Sequence, residues 1–308
     1  MTNLGTASRT IFVCTFGVVS LLGSEASAQT VLQPPPSPSS SSPSPTETAP
    51  PKFAVQPLTD GAIVAVNAGF AGLLDLVMGT GELRPQQISR DFKSSSLLKI
   101  DRGAVSQDID PNAATYSNIG LGILVGYAVL DPILSGFREK SARTALVDAI
   151  LYAETISLTV GVTNLAKIAV RRPRPVAYKD AEAHENDPNY SNADTDSSLS
   201  FFSGHASVSA AVTATATYLA FVREPKTARP WITLIVGTAL TSFVGFERVR
   251  AGKHFPTDVI AGAMAGAGIG ILVPHFHRVD ENSPRKFWVG AAPTTLGTGG
   301  TLSLSGIF

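Results

Sequence analysis

Long apolar stretches of helical length dominate the chain between Phe53 and His277, and no strong alternation of apolar and polar residues interrupts them. The many Ala and Gly residues of the last three stretches would let neighbouring helices approach closely, and the lengths of all the stretches favour helices over strands. Proline near the start of two stretches, at Pro230 and Pro256, fits the first turn of a helix. The predicted helices cover residues 59–78, 118–137, 142–170, 205–222, 230–248 and 256–276. This pattern predicts an all-α fold, a helical bundle of about six main helices.

The last residues, 287–308, follow a different pattern. Leucine and serine alternate from Leu302 to Ser305, directly after the glycine-rich stretch 296–300. Alternation of this kind next to a turn is typical of a strand pair. We therefore predict a short C-terminal β-hairpin that packs as an edge ribbon on the bundle.

Two segments without a packed core precede the helices. Residues 1–28 combine Arg9, a short apolar run and the small residues Ala26-Ser27-Ala28, which is typical of a cleaved signal peptide. Residues 29–52 are rich in Pro, Ser and Thr and predict a disordered linker. The only cysteine, Cys14, lies in the signal peptide. The sequence therefore predicts one folded domain, residues 53–308, without disulfides.

Charge decides which partners the domain can have. The formal net charge is zero, so the basic excess of a nucleic-acid-binding protein is missing.

The export signal favours a periplasmic or secreted protein. Asp131, Asp148 and Glu154 interrupt the apolar stretches and would be costly in lipid, which favours a soluble bundle. The alternative is a membrane-embedded bundle whose site faces the periplasm, and the oligomeric state is not predicted.

Three short motifs, each close to the end of a predicted helix, carry the candidate chemistry. The first has six residues between a lysine and an Arg-Pro pair, and the second is Phe-Ser-Gly-His. The third is an arginine, five residues, a histidine, three residues and an aspartate. Their functional positions are Lys167 and Arg174, then Ser203, Gly204 and His205, then Arg248, His254 and Asp258.

These residue types suit the transfer of a phosphoryl group. The three motif cations, which are Lys167, Arg174 and Arg248, could stabilise the charge on the phosphoryl oxygens. Ser203 and Gly204 begin a helix, where free amide groups favour an anion. His254 is then the candidate nucleophile, oriented by Asp258 four residues later, and His205 is the candidate general acid.

In this order the motifs resemble those of the type 2 phosphatidic acid phosphatase superfamily, which includes bacterial class A acid phosphatases and vanadium haloperoxidases. The resemblance covers about residues 142–273. It implies a phosphatase domain with an α-bundle, a phosphohistidine on His254, proton donation by His205 and orientation by Asp258. It also implies phosphate binding by Lys167, Arg174, Ser203, Gly204 and Arg248. The substrate would be a phosphate-containing small molecule or lipid: a phosphomonoester, a lipid phosphate or a polyprenyl diphosphate.

Several alternatives remain at this stage. Two positions depart from the family pattern: Phe202 replaces a proline, and Glu247 replaces a serine and is expected to face away from the phosphate. The acidic segment 179–200 is either a surface loop or a lid over the site. His205, His254 and Asp258 could bind zinc, but the motif cations would repel it, so no metal or other cofactor is predicted. A vanadium-dependent haloperoxidase or an inactive phosphate-binding envelope protein are the competing functions.

Overall fold

The computed structural model describes residues 52–89, 92–184, 187 and 195–279, together with the backbone of 286–293 and 300–307. The predicted signal peptide and nearly all of the predicted linker lie outside these residues. So does most of the central part of the acidic segment. These parts of the sequence analysis stay predictions.

The predicted helical fold is confirmed, since most of the described residues are helical. Six helices have twenty or more residues, and a five-residue and a nine-residue helix connect some of them. In chain order the helices are α1 (Pro57–Gly79), α2 (Arg102–Ser106), α3 (Ala113–Arg138), α4 (Ala142–Val170), α5 (Pro175–Ala183), α6 (Gly204–Arg223), α7 (Arg229–Arg250) and α8 (Pro256–Phe276).

Local sequence accounts for several helix ends next to the motifs. Ser203 is the N-cap of α6, and its hydroxyl accepts a hydrogen bond from Ala206 N at 3.4 Å. Pro175 and Pro256 occupy the first turns of α5 and α8, where the missing amide hydrogen costs nothing. At the other end of α4, Arg171 takes a left-handed conformation with φ 49° and ends the helix. These ends place all three motifs at helix termini.

Helix α6 forms the centre of the bundle, with fourteen of its twenty residues buried. Helix α8 packs against it through Gly262, Gly266 and Gly270. A Cβ atom on each of these glycines would lie 2.6, 1.9 and 2.4 Å from a carbonyl oxygen of α6 or its N-cap. The backbones of α6 and α8 therefore touch, which requires glycine at these positions. This contact joins the helix starts that carry the second and third motifs.

Large apolar side chains lie mainly on the outside of the bundle. Only two of the 23 residues of α1 are buried, and exposed residues such as Leu58, Phe70, Ile123, Trp231 and Met264 cover the outer helices. Six helices of the described part are long and apolar enough to cross a membrane. An apolar outer surface of this extent is costly in water and favourable in lipid. The preference for a soluble bundle is therefore corrected, and the membrane-embedded alternative is favoured.

The acids that suggested a soluble bundle face inwards. Asp131 is fully buried and accepts hydrogen bonds from Tyr152 at 3.0 Å and Arg229 at 2.8 Å. Asp148 is also fully buried and forms an ion pair with Arg223. Because these charges are paired inside the bundle, they do not meet the lipid, and their presence does not argue against embedding.

At the C-terminus, the segments β1 (Lys286–Pro293) and β2 (Gly300–Ile307) have extended backbones that pair antiparallel. Their side chains and the residues between them lie outside the described part of the chain. The packing of a hairpin on the bundle is not supported by any described contact, and the hairpin stays a prediction.

Candidate active site

The structure brings the motif cations together at one end of the bundle. Lys167 lies in the last turn of α4, and its Nζ is 3.7 Å from the position that a Cβ on Gly204 would take. The charges of all three cations act on both His205 and His254. The chain thus concentrates positive charge around its two motif histidines.

The cation Arg248 is buried, with 8% of its surface exposed. Among the described residues, its guanidinium has no hydrogen-bond or ion-pair partner, and its Nε is completely enclosed. The ammonium group of Lys167 likewise has no such partner in the described part of the chain. Burying an unpaired cation is unfavourable, so an arrangement of this kind favours an anionic ligand.

Arg174, in contrast, has a partner within the chain. Its Nη1 donates a hydrogen bond of 2.6 Å to Asp196, and Lys253 lies 3.4 Å from the same carboxylate oxygen. Asp196 belongs to the acidic segment, and 58% of its side chain is exposed. The acidic segment therefore reaches the candidate phosphate-binding residues at this point. The sequence alone does not predict this contact.

His254 lies in the short connection between α7 and α8 and is 1% exposed. Its Nδ1 is 2.7 Å from the carbonyl oxygen of Ser200. A carbonyl can only accept, so Nδ1 carries the proton and Nε2 keeps its lone pair. Burial lowers the pKa of His254 well below its usual value, and the motif cations lower it further. A neutral imidazole with a free Nε2 can act as a nucleophile at neutral pH.

The predicted hydrogen bond between Asp258 and His254 is not formed, and this part of the sequence analysis is corrected. Asp258 is fully buried, and its Oδ2 accepts from Ser200 Oγ at 2.5 Å and from Phe255 N at 2.9 Å. The carboxylate caps the start of α8 and holds Ser200, whose carbonyl contacts His254. Asp258 can therefore orient the histidine only through Ser200.

A buried network behind Asp258 was not predicted from the sequence. Arg172 donates to Asp258 Oδ1 at 2.5 Å and to Asp101 Oδ2 at 2.8 Å. Its guanidinium lies 4.0 Å from the centre of the Phe255 ring. Asp101 is fully buried and also accepts from Thr257 at 2.7 Å. Arg172 sits inside the first motif, but the sequence gave it no partner, since Asp101 is 71 positions away.

His205, at the start of α6, has a neighbour that the sequence analysis also missed. Its Nε2 is 2.7 Å from Oδ1 of Asn118, which lies on α3. An amide oxygen accepts from an imidazole N–H, so Asn118 can fix the rotation of the ring.

The expected orientation of Glu247 agrees with its contacts, because Arg250 donates to its two oxygens at 3.0 and 3.2 Å.

Comparisons with known proteins agree with the motifs. Residues 148–281 match the model of the PAP2 superfamily. The chain is also similar to a crystal structure of a transmembrane PAP2-type phosphatidylglycerolphosphate phosphatase from Bacillus subtilis, with 19% identity and a TM-score of 0.42. That match covers 71% of this chain and 95% of the other. No curated protein matches. Residues 148–281, which carry this match, hold all three motifs, and the match supports a phosphatase hydrolase of the type 2 phosphatidic acid phosphatase superfamily.

Proposed function

We propose that the protein is a membrane-embedded phosphatase that hydrolyses lipid phosphates or diphosphates through a phosphohistidine on His254. The observation that carries this proposal is the buried Arg248, which has no partner among the described residues, beside Lys167 and the neutral His254. An anion with several oxygens satisfies these cations, and a phosphoryl group does so next to a nucleophile.

The reaction follows from the arrangement of donors. Nε2 of His254 attacks phosphorus while the bond to the leaving oxygen breaks, and the motif cations stabilise the charge on the other oxygens. His205 gives a proton to the leaving oxygen, which departs as an alcohol or a phosphate. Water then attacks the phosphohistidine, His205 recovers the proton, and inorganic phosphate leaves. Ser200 keeps the proton of His254 on Nδ1 throughout.

The chemistry in this proposal needs no metal at the motif site. Three cations already supply the positive charge that a divalent ion provides in other phosphatases. They would also repel such an ion from His205 and His254. We therefore expect turnover to continue in an excess of chelator.

The outer surface of the bundle supports a lipid substrate. Apolar side chains cover helices that are long enough to cross a membrane, which favours a substrate that is itself held in the lipid phase. Both a phosphatidate-type monoester and a polyprenyl diphosphate present a phosphate at the membrane surface. A water-soluble phosphomonoester would not need an enzyme with such an apolar outer surface.

The test uses the full chain in detergent micelles containing a chelator, at a temperature well below its melting point. A chromogenic phosphate, a lysophosphatidic acid and a polyprenyl diphosphate are compared as substrates. We expect a higher kcat/KM for the lipids, and rapid quenching in an alkaline denaturant should trap an acid-labile, base-stable phosphoryl label on wild-type protein. His254→Ala should lose both turnover and label, whereas His275→Ala, which changes a histidine outside the motifs, should keep both.

The role of His205 has a separate readout. A nitrophenolate leaves readily without a proton, but a lipid alkoxide does not. His205→Ala should therefore slow the lipid phosphate by about 10²–10⁴ and the chromogenic phosphate much less. Equal losses on both substrates would contradict the general-acid role. If the protein hydrolyses none of these phosphates but oxidises bromide in the presence of vanadate and peroxide, it is instead a haloperoxidase.

A further inference from the structure

A second group of ionisable side chains lies away from the motifs. Asp60 is in the first turn of α1, Glu154 is in the middle of α4, and His277 follows the last residue of α8. One ligand atom from each residue lies within 4.8 Å of the other two. Glu154 precedes Lys167 by thirteen positions on one helix, which is roughly 20 Å along the axis. This triad is therefore separate from the candidate active site.

The carboxylate of Glu154 is incompletely satisfied. Glu154 is 4% exposed, and its Oε1 is fully enclosed with no hydrogen-bond partner in the described part of the chain. Its other oxygen, Oε2, faces His277 Nε2 at 3.5 Å. A buried carboxylate oxygen without a partner is unfavourable, and a bound cation would remove this cost.

His277 is oriented as a metal ligand would be. Its Nδ1 lies 2.8 Å from the carbonyl oxygen of Val273, so Nδ1 is the protonated nitrogen. When the ring is neutral, the Nε2 lone pair points to the carboxylates, at 3.5 Å from Glu154 and 3.8 Å from Asp60. Metal-binding histidines usually donate their second N–H to a carbonyl in this way, which fixes the ring.

Charge and spacing both fit a divalent ion. No lysine or arginine in the described ranges forms an ion pair with Asp60 or Glu154, so two buried carboxylates face one histidine. An ion of charge +2 would neutralise them. Ligand atoms around tetrahedral Zn²⁺, with bonds of about 2.1 Å, lie about 3.4 Å apart. The two measured spacings to His277 are close to this value.

We propose that Asp60, Glu154 and His277 form a structural site for a divalent transition-metal ion of the Zn²⁺ type. The ion joins the start of α1 to the middle of α4 and the end of α8. Asp60 is one of only two buried residues of α1, and its Oδ2 also accepts a hydrogen bond from Gln56 N at 2.6 Å. Water completes the coordination, because the triad supplies three ligands and Zn²⁺ takes four.

The experiment uses the full chain in detergent, stripped with chelator and then titrated with Zn²⁺ or Co²⁺. We expect one ion per chain, a higher Tm with Zn²⁺, and visible absorption from Co²⁺ in a tetrahedral site. Asp60→Asn and Glu154→Gln keep the side-chain size but remove a charge, and each should weaken binding at least about tenfold. His275→Gln, two residues from His277 and outside the triad, should bind as the wild type does.

Two results would overturn the proposal. The first is that the wild-type protein shows no saturable binding of Zn²⁺ or Co²⁺. The second is that Asp60→Asn and Glu154→Gln both bind the ion with wild-type affinity, which would place the ion elsewhere. If neither variant can be purified in a folded form, His277→Leu decides, since it keeps both carboxylates. A wild-type Co²⁺ spectrum in His277→Leu would reject the site, and its loss would support it. Metal removal should lower the Tm but not the initial rate of phosphate release, so failure of this proposal and failure of the phosphatase proposal are distinguishable.

Discussion

Replacement of Gly266 by alanine tests how the contact between α6 and α8 holds the site. A Cβ at this position would lie 1.9 Å from the carbonyl oxygen of Ser207. Nonbonded heavy atoms pack at about 3.5 Å, so the helices would have to separate by roughly 1.5 Å. The obstacle is backbone, which cannot rotate away as a side chain can. The substitution is therefore overpacking in a well-packed interior.

The expected cost of Gly266→Ala is about 1–3 kcal/mol in the free energy of unfolding. For a domain of this size the corresponding fall in Tm is roughly 2–12 °C. The same separation moves the start of α6 relative to His254. A misplacement of about 1 Å can lower turnover by about 10²-fold. We expect both losses together, measured by thermal unfolding in detergent and by kcat on the preferred substrate.

Gly268 provides the matched control on the same helix. A Cβ at Gly268 meets no atom within 4 Å, so alanine fits without moving the backbone. Alanine is also the better helix former, by about 1 kcal/mol. Gly268→Ala should therefore keep or raise the Tm and leave turnover unchanged. If Gly266→Ala were as stable and active as Gly268→Ala, the close backbone contact would be wrong.

Three further predictions concern charges at the site. Arg248→Met should abolish turnover yet leave the Tm unchanged or raise it, because the cation is buried without a partner in the described structure; a large fall in Tm would contradict this. Arg172→Met should cost about 3–5 kcal/mol in thermal unfolding, since the buried carboxylates of Asp258 and Asp101 lose their cationic partner, and an unchanged Tm would refute the network. Because the folded state lowers the pKa of His254, the unfolded chain protonates this residue at a higher pH than the folded protein does. The contribution of His254 to the free energy of unfolding is therefore complete above pH 6.5 and falls below it by about 1.4 kcal/mol per pH unit. His254→Gln should lack this part of the acid loss in a pH series of melting curves.

The sequence by itself determined the helices and the motifs. The predicted bounds of the six long helices lie within a few residues of the observed ones, because apolar length, proline at helix starts and the Ser203 cap are local properties. The same holds for the three motifs, whose candidate functional residues lie close to the ends of helices that local sequence predicts. Both the helices and the motifs could therefore be predicted from residues that are close together in the sequence.

Tertiary structure decided which face of each helix is covered. Apolar content shows that a helix avoids water, but it does not show whether protein or lipid replaces the water. Here glycine, alanine and serine form the contact between α6 and α8, and larger apolar residues face outwards. The acids Asp131 and Asp148 suggested water, but their partners come from distant helices.

Tertiary structure also decided the contacts of His254, the candidate nucleophile. A spacing of four predicts a contact only where both residues are helical, and α8 begins at Pro256, after His254. Asp258 therefore turns back to cap its own helix, and the carbonyl of Ser200, 54 positions earlier, contacts the imidazole. Spacing along one chain cannot reveal such a partner, because packing between separate segments brings it there.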